Sequence, residues 1–88
     1  MHGYHTRLEH GRTLFLVQTQ DKGAGAQYVE TLVYSAGRLL TSRKSYYTPY
    51  LNSLNLSRRI EKLMDDQHQA VLKDIADGKL DGILNGES

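Results

Sequence analysis

Four histidines are the first residues to weigh for chemistry. His2, His5 and His10 crowd the N-terminus at gaps of three and five, and His68 stands alone downstream. Imidazole nitrogens can hold Zn²⁺ or Ni²⁺, and an extended chain puts alternate residues on one face. His2 sits at a terminus and His10 at a turn, so these rings are expected to stay apart as surface histidines. The chain has no cysteine, which removes thiolate metal ligation and disulfides together. His68 follows Gln67 and borders an apolar helical stripe between Met64 and Val71/Leu72. As a general base it would need a serine or cysteine nucleophile at partner spacing, and none accompanies it. Gln67 and His68 are therefore read as a structural polar pair at the core margin, the ring bonding a backbone carbonyl of the sheet. No catalytic residue, metal site or cofactor is assigned, and the chain is read as no enzyme.

A second constellation interleaves charge with aromatic rings. Arg43-Lys44 precedes Tyr46-Tyr47 and Tyr50, a combination that can neutralise phosphates and stack bases of a single strand. The formal charge is only +1, but it is unevenly placed. Residues 1–37 are neutral, 38–62 carry +5 and 63–88 carry −4. Arg38, Arg43, Lys44, Arg58 and Arg59, with Tyr46 and Tyr47, form the candidate anion or nucleic-acid contact. Arg58 and Arg59 fall in the first turn of the expected helix, where the dipole already leaves partial positive charge. An anion could settle there. Two solvated arginines that tolerate a small penalty explain the same residues. The sequence pI of about 8.0 is below the range usual for nucleic-acid domains. Asp21-Lys22-Gly23-Ala24-Gly25-Ala26 is glycine-rich but joins strand to strand and lacks G-x-x-x-x-G-K-[ST], so a mobile loop is expected rather than a phosphate cradle.

These residues must be positioned by four β-type runs and one helix. Residues 4–9 alternate as a half-buried strand, and His10-Gly11 offers a hairpin connection into 13–20. The third run spans 27–34, Ser35-Ala36-Gly37 turns it, and the fourth extends from Arg38 to about Tyr46. Such short connections force neighbouring antiparallel pairing in a 1-2-3-4 meander. Thr48-Pro49 punctuates the chain, and Ser57 can cap a helix whose apolar stripe is Ile60, Leu63, Met64, Val71, Leu72 and Ile75. Gly78 is a natural stop. The expected fold is α+β: a four-stranded antiparallel β-meander with a C-terminal α-helix packed on one face. One domain is expected over 1–81, with a disordered tail over 82–88.

Length and composition set the limits. Eighty-eight residues, 39% hydrophobic and 24% charged, suit one small domain. The longest apolar run, Leu14 to Val17, is far short of the roughly 20 residues of a membrane span. Met1–His5 has no apolar h-region, so no secretory signal and a cytoplasmic location are expected. One helix can cover only one face of four strands. Tyr28, Leu32, Tyr34, Leu14 and Leu16 would then make the other face too apolar for full solvation, unless loops or Tyr50-Leu51 cover it. A second copy is the economical cover.

The residues also carry a resemblance. His10-Gly11-Arg12, Val17-Gln18-Thr19-Gln20-Asp21-Lys22-Gly23, Val29 to Tyr34, Gly37 to Lys44 and Asp66-Gln67-His68 resemble a family of small uncharacterised bacterial proteins with a VQT(E/Q)DKG strand end and a helix bearing a QH pair. Gln20 stands where that pattern has glutamate, and no activity comes with the resemblance. Three functions follow in order: a non-enzymatic protein-interaction or homodimerisation module, a single-stranded nucleic-acid or anion binder, and a small enzyme or metal site using His68 or the N-terminal histidines.

Overall fold

The computed structural model describes residues 3–84. Four strands follow one another: β1 (Gly3–His10), β2 (Thr13–Asp21), β3 (Tyr28–Ser35) and β4 (Arg38–Tyr46). They form one antiparallel sheet in the order β1-β2-β3-β4. A 3₁₀ turn (Thr48–Tyr50) leads to the long helix α1 (Leu56–Ala76), which packs on β1, β2 and β3, and a single-turn helix α2 (Asp81–Leu84) follows. The fold is thus the α+β meander with one covering helix. His2 and residues 85–88 lie outside the described residues, while residues 82–84, assigned from the sequence to the tail, belong to α2.

Alternation along the strands decides what each face holds. Phe15, Val17, Val29 and Val33 are buried beneath α1, which contributes Met64, Val71 and Ile75. These side chains form two apolar clusters. One gathers Phe15, Val17, Val33, Val71, Ile75 and Leu80; the other gathers Val29, Tyr47 and Met64. The region between them is polar.

Three junctions differ in detail from the sequence reading. His10 pairs with Thr13, so the first hairpin loop is Gly11-Arg12 rather than His10-Gly11. The helix begins at Leu56, with Asn55 as its N-cap and no side-chain cap bond, so Ser57 lies inside the first turn. The earlier start packs Leu56 against the Met64 cluster. The loop after β2 is internally hydrogen-bonded, with the Ala26 and Gln27 N–H groups donating to the Gly23 carbonyl and the Gly23 N–H donating to Asp21 Oδ1. At the helix end, Gly78 adopts φ 79°; its N–H donates to the Ile75 carbonyl and that of Lys79 to the Asp74 carbonyl, a Schellman closure.

The second hairpin shapes the open face. Its two loop residues, Ala36 and Gly37, have φ 52° and 77°, as tight primed turns require. Val33 pairs with Thr41 but Tyr34 with Leu39, so Leu40 is an extra residue in β4. The bulge turns Leu40 toward the core and leaves Leu39 exposed opposite Tyr34.

Candidate functional site

Beneath the helix, polar side chains join all four strands. Thr6 Oγ1 of β1 lies 2.7 Å from His68 Nε2, and Thr19 Oγ1 of β2 lies 2.7 Å from His68 Nδ1. Thr19 Oγ1 is also 2.7 Å from Thr31 Oγ1 on β3. Gln67 Nε2 donates to Thr31 Oγ1 at 2.9 Å and to the Arg43 carbonyl of β4 at 3.0 Å. Ser45 Oγ of β4 donates to Gln67 Oε1. His68 is only 1% exposed and Gln67 is buried beside it. Each is there because positions 67 and 68 of a helix whose stripe includes Met64 and Val71 point at the sheet. The alternation that buries Phe15, Val17, Val29 and Val33 buries Thr19 and Thr31 with them.

Donor and acceptor counting sets the proton positions in this belt. The Arg43 carbonyl can only accept, so the Gln67 nitrogen faces it and the Gln67 oxygen faces Ser45. Thr31 accepts an N–H from Gln67, and its own hydrogen meets an acceptor within the belt only at Thr19; in that arrangement Thr19 gives its hydrogen to His68 Nδ1. The ring is left to donate from Nε2 to Thr6. Among the described residues no buried side-chain polar atom lacks a partner. Burial lowers the His68 pKa below the ordinary value; nearby Asp65 pulls it up and His5 pushes it further down. The ring is enclosed, with both nitrogens engaged across the helix–sheet interface. The expectation of a carbonyl partner is corrected to threonine hydroxyls, which the sequence analysis did not single out. Their inward alternation phase was the available signal.

The opposite face has the reverse character. His5, Arg7 and Glu9 of β1, Leu14, Leu16, Gln18 and Gln20 of β2, Tyr28, Glu30, Leu32 and Tyr34 of β3, and Leu39, Ser42, Lys44 and Tyr46 of β4 share it. Strand pairing sets Arg7, Leu16, Tyr34 and Leu39 in one row across the sheet, with Leu14 and Leu32 in the rows beside it. Leu14 is 46%, Leu39 50% and Tyr46 58% exposed. Tyr28 and Tyr46 pack ring against ring at 5.1 Å, and Lys44 Nζ lies 4.9 Å from the Tyr28 centroid.

The candidate contact residues do not gather in one place. Arg43 faces the helix side and donates to Asp74 Oδ2 at 2.7 Å, a bond that, with Lys79, holds the Asp74 carboxyl below the usual range. Arg59 lies over Tyr50 at 5.1 Å, beside a shallow groove that also involves Lys62 and Asp66. Arg58 is exposed on the helix, and Arg38 at the start of β4. Tyr47, grouped by the sequence with the contact residues, is 2% exposed and donates to Asp21 Oδ1 at 2.7 Å; burial and that bond push its pKa up to about 12. It is placed to seal the core rather than to stack a base. Lys44 and Tyr46 alone of the set share the open face. His5 lies on that face too, whereas His10 is 3.7 Å from Asp81, and no metal-holding cluster occurs among the described residues. None of the described helices is long and apolar enough to cross a membrane. No family model, curated protein or solved structure matches the chain.

Proposed function

We propose that this chain is a non-enzymatic interaction module that forms a homodimer through the open face of its sheet. The observation that carries the reading is the continuous apolar band of Leu14, Leu16, Leu32, Tyr34 and Leu39 on a face that none of the described helices covers. Removing such surface from water stabilises an association by about 25 cal/mol per Å² before the entropy of docking is subtracted. A twofold axis lets one patch cover its own copy, so a single surface suffices.

Charge favours a second copy over a polyanion. The open face carries Arg7 and Lys44 against Glu9 and Glu30, and Lys22 reaches Glu30 from the loop after β2 at 4.0 Å, a balance of +1 with histidine neutral. Two such faces meet with little net repulsion, whereas a phosphate backbone would meet only a single net positive charge. The Tyr28–Tyr46 pair with Lys44 is the one feature that supports single-stranded nucleic acid instead. Sedimentation equilibrium from the micromolar to the millimolar range tests the dimer, and a species that stays monomeric throughout overturns it. Labelled single strands titrated at two salt concentrations test the alternative, which requires binding that weakens as salt rises.

A further inference from the structure

Among the described residues, His68 is the one histidine whose two ring nitrogens are both enclosed by hydroxyl partners, and it takes no part in the open face. Its hydrogen bonds run in one direction. In the arrangement that gives every hydrogen an acceptor, Gln67 donates to Thr31, Thr31 to Thr19, Thr19 to Nδ1, and Nε2 to Thr6. A protonated ring would donate from both nitrogens. Thr19 would have to reverse and donate to Thr31, whose oxygen already accepts from Gln67. The Thr31 hydrogen would then have no acceptor among its hydrogen-bond partners, in a position that water does not reach. We propose that this chain of hydroxyl, imidazole and amide is an acid-sensitive latch that holds α1 to the sheet while His68 is neutral and releases it when His68 takes a proton.

The groups around the ring leave the proton without strong support. On α1, Asp65 one turn earlier favours the charged form. On β1, His5 opposes it, and Tyr4 presents its ring to the imidazole edge-on at 5.4 Å and 81°. His10, the other helix-side titratable group of β1, is occupied by Asp81. On β2, Asp21 is held by Tyr47 and the Gly23 N–H. On β3, the helix-side residues are Val29, Thr31 and Val33, none of them titratable. On β4, Arg43 is paired with Asp74. Burial therefore dominates, and the folded ring takes its proton at lower pH than the unfolded one. A group of that kind contributes its full stability above the unfolded value near 6.5. The contribution fades as pH falls from there toward the folded value.

The experiment isolates His68 by replacing the other histidines (H2Q, H5Q and H10Q), then compares that protein with one also carrying His68→Gln. Urea unfolding at pH 7.5 and 5.5 gives the folding equilibrium constant of each. The latch predicts a drop of up to about tenfold in the His68 protein, the ceiling set by an unfolded value near 6.5, and none in the His68→Gln protein. A drop below about threefold, or an equal drop in both, overturns it. If His68→Gln does not fold, imidazole ¹⁵N shifts of the unsubstituted chain decide. A neutral ring protonated at Nε2 that persists at pH 5.5 in the folded form supports the latch. An imidazolium in an intact fold, or a proton on Nδ1, refutes it.

Discussion

The two faces of the sheet are drawn from the same four strands, and each departs in part from the usual rule. The covered face has a polar belt through its middle, made of Thr6, Thr19, Thr31, Ser45, Gln67 and His68. The open face carries leucines and tyrosines into solvent. Hydrophobic burial is non-directional, so the two apolar clusters alone would let α1 slide or rotate over the sheet. The belt is directional, because only one placement of α1 gives each donor its acceptor. The open face has no such belt among the described residues, and Leu14, Leu39 and Tyr46 stay exposed on it.

The same substitution on the two faces should separate these roles most sharply. Gln67→Leu strands the Ser45 hydroxyl and the Arg43 carbonyl and is expected to cost about 1–3 kcal/mol in urea unfolding. Gln18→Leu, on the open face, should stay within about 0.5 kcal/mol. Equal effects would erase the distinction between a specifying face and an unconstrained one. The double variant L14K/L39K is expected to leave monomer stability nearly unchanged while weakening self-association by about tenfold or more, or about 1.4 kcal/mol, by sedimentation equilibrium. Loss of folding instead would place those leucines in the monomer core.

Smaller effects sharpen the comparison at its margins. Gly78→Ala forces a side chain into left-handed backbone, with its Cβ 3.1 Å from Asp81 Oδ2, and should lower the thermal midpoint by the equivalent of about 1 kcal/mol. That loss falls on the helix covering the belt. Ala36→Asn sits in the hairpin that presents Leu39 and replaces a residue poorly suited to φ 52°. A gain of about 0.5 kcal/mol in thermal stability is expected, with self-association unaltered.

Much of the fold was legible locally. Period-two alternation marked the four strands, and the short connections read at His10-Gly11 and Ser35-Ala36-Gly37 left little choice but a meander, although the first loop lies one residue later. The helical stripe and Gly78 marked α1 and its end. The Gln67-His68 pair stood out because polar residues interrupt an apolar stripe. Its partners did not, since Thr6, Thr19, Thr31 and Ser45 lie 22 to 62 residues away along the chain. The basic set was misleading for a related reason. Nearness in sequence brought Arg43, Tyr46 and Tyr47 together, but alternation and the turn after β4 send them to different surroundings.

What the sequence determined by itself was the order of elements, the meander and the two-sided alternation, because each follows from periods and turns a few residues long. Only the tertiary structure decided the single extra residue at Leu40, which sides Leu39 and Leu40 take, and which hydroxyls meet His68. A one-residue shift in strand pairing exchanges the faces, and a hydrogen bond tolerates only a few tenths of an ångström. Both are fixed by where α1 settles on the sheet, which no short stretch of chain contains.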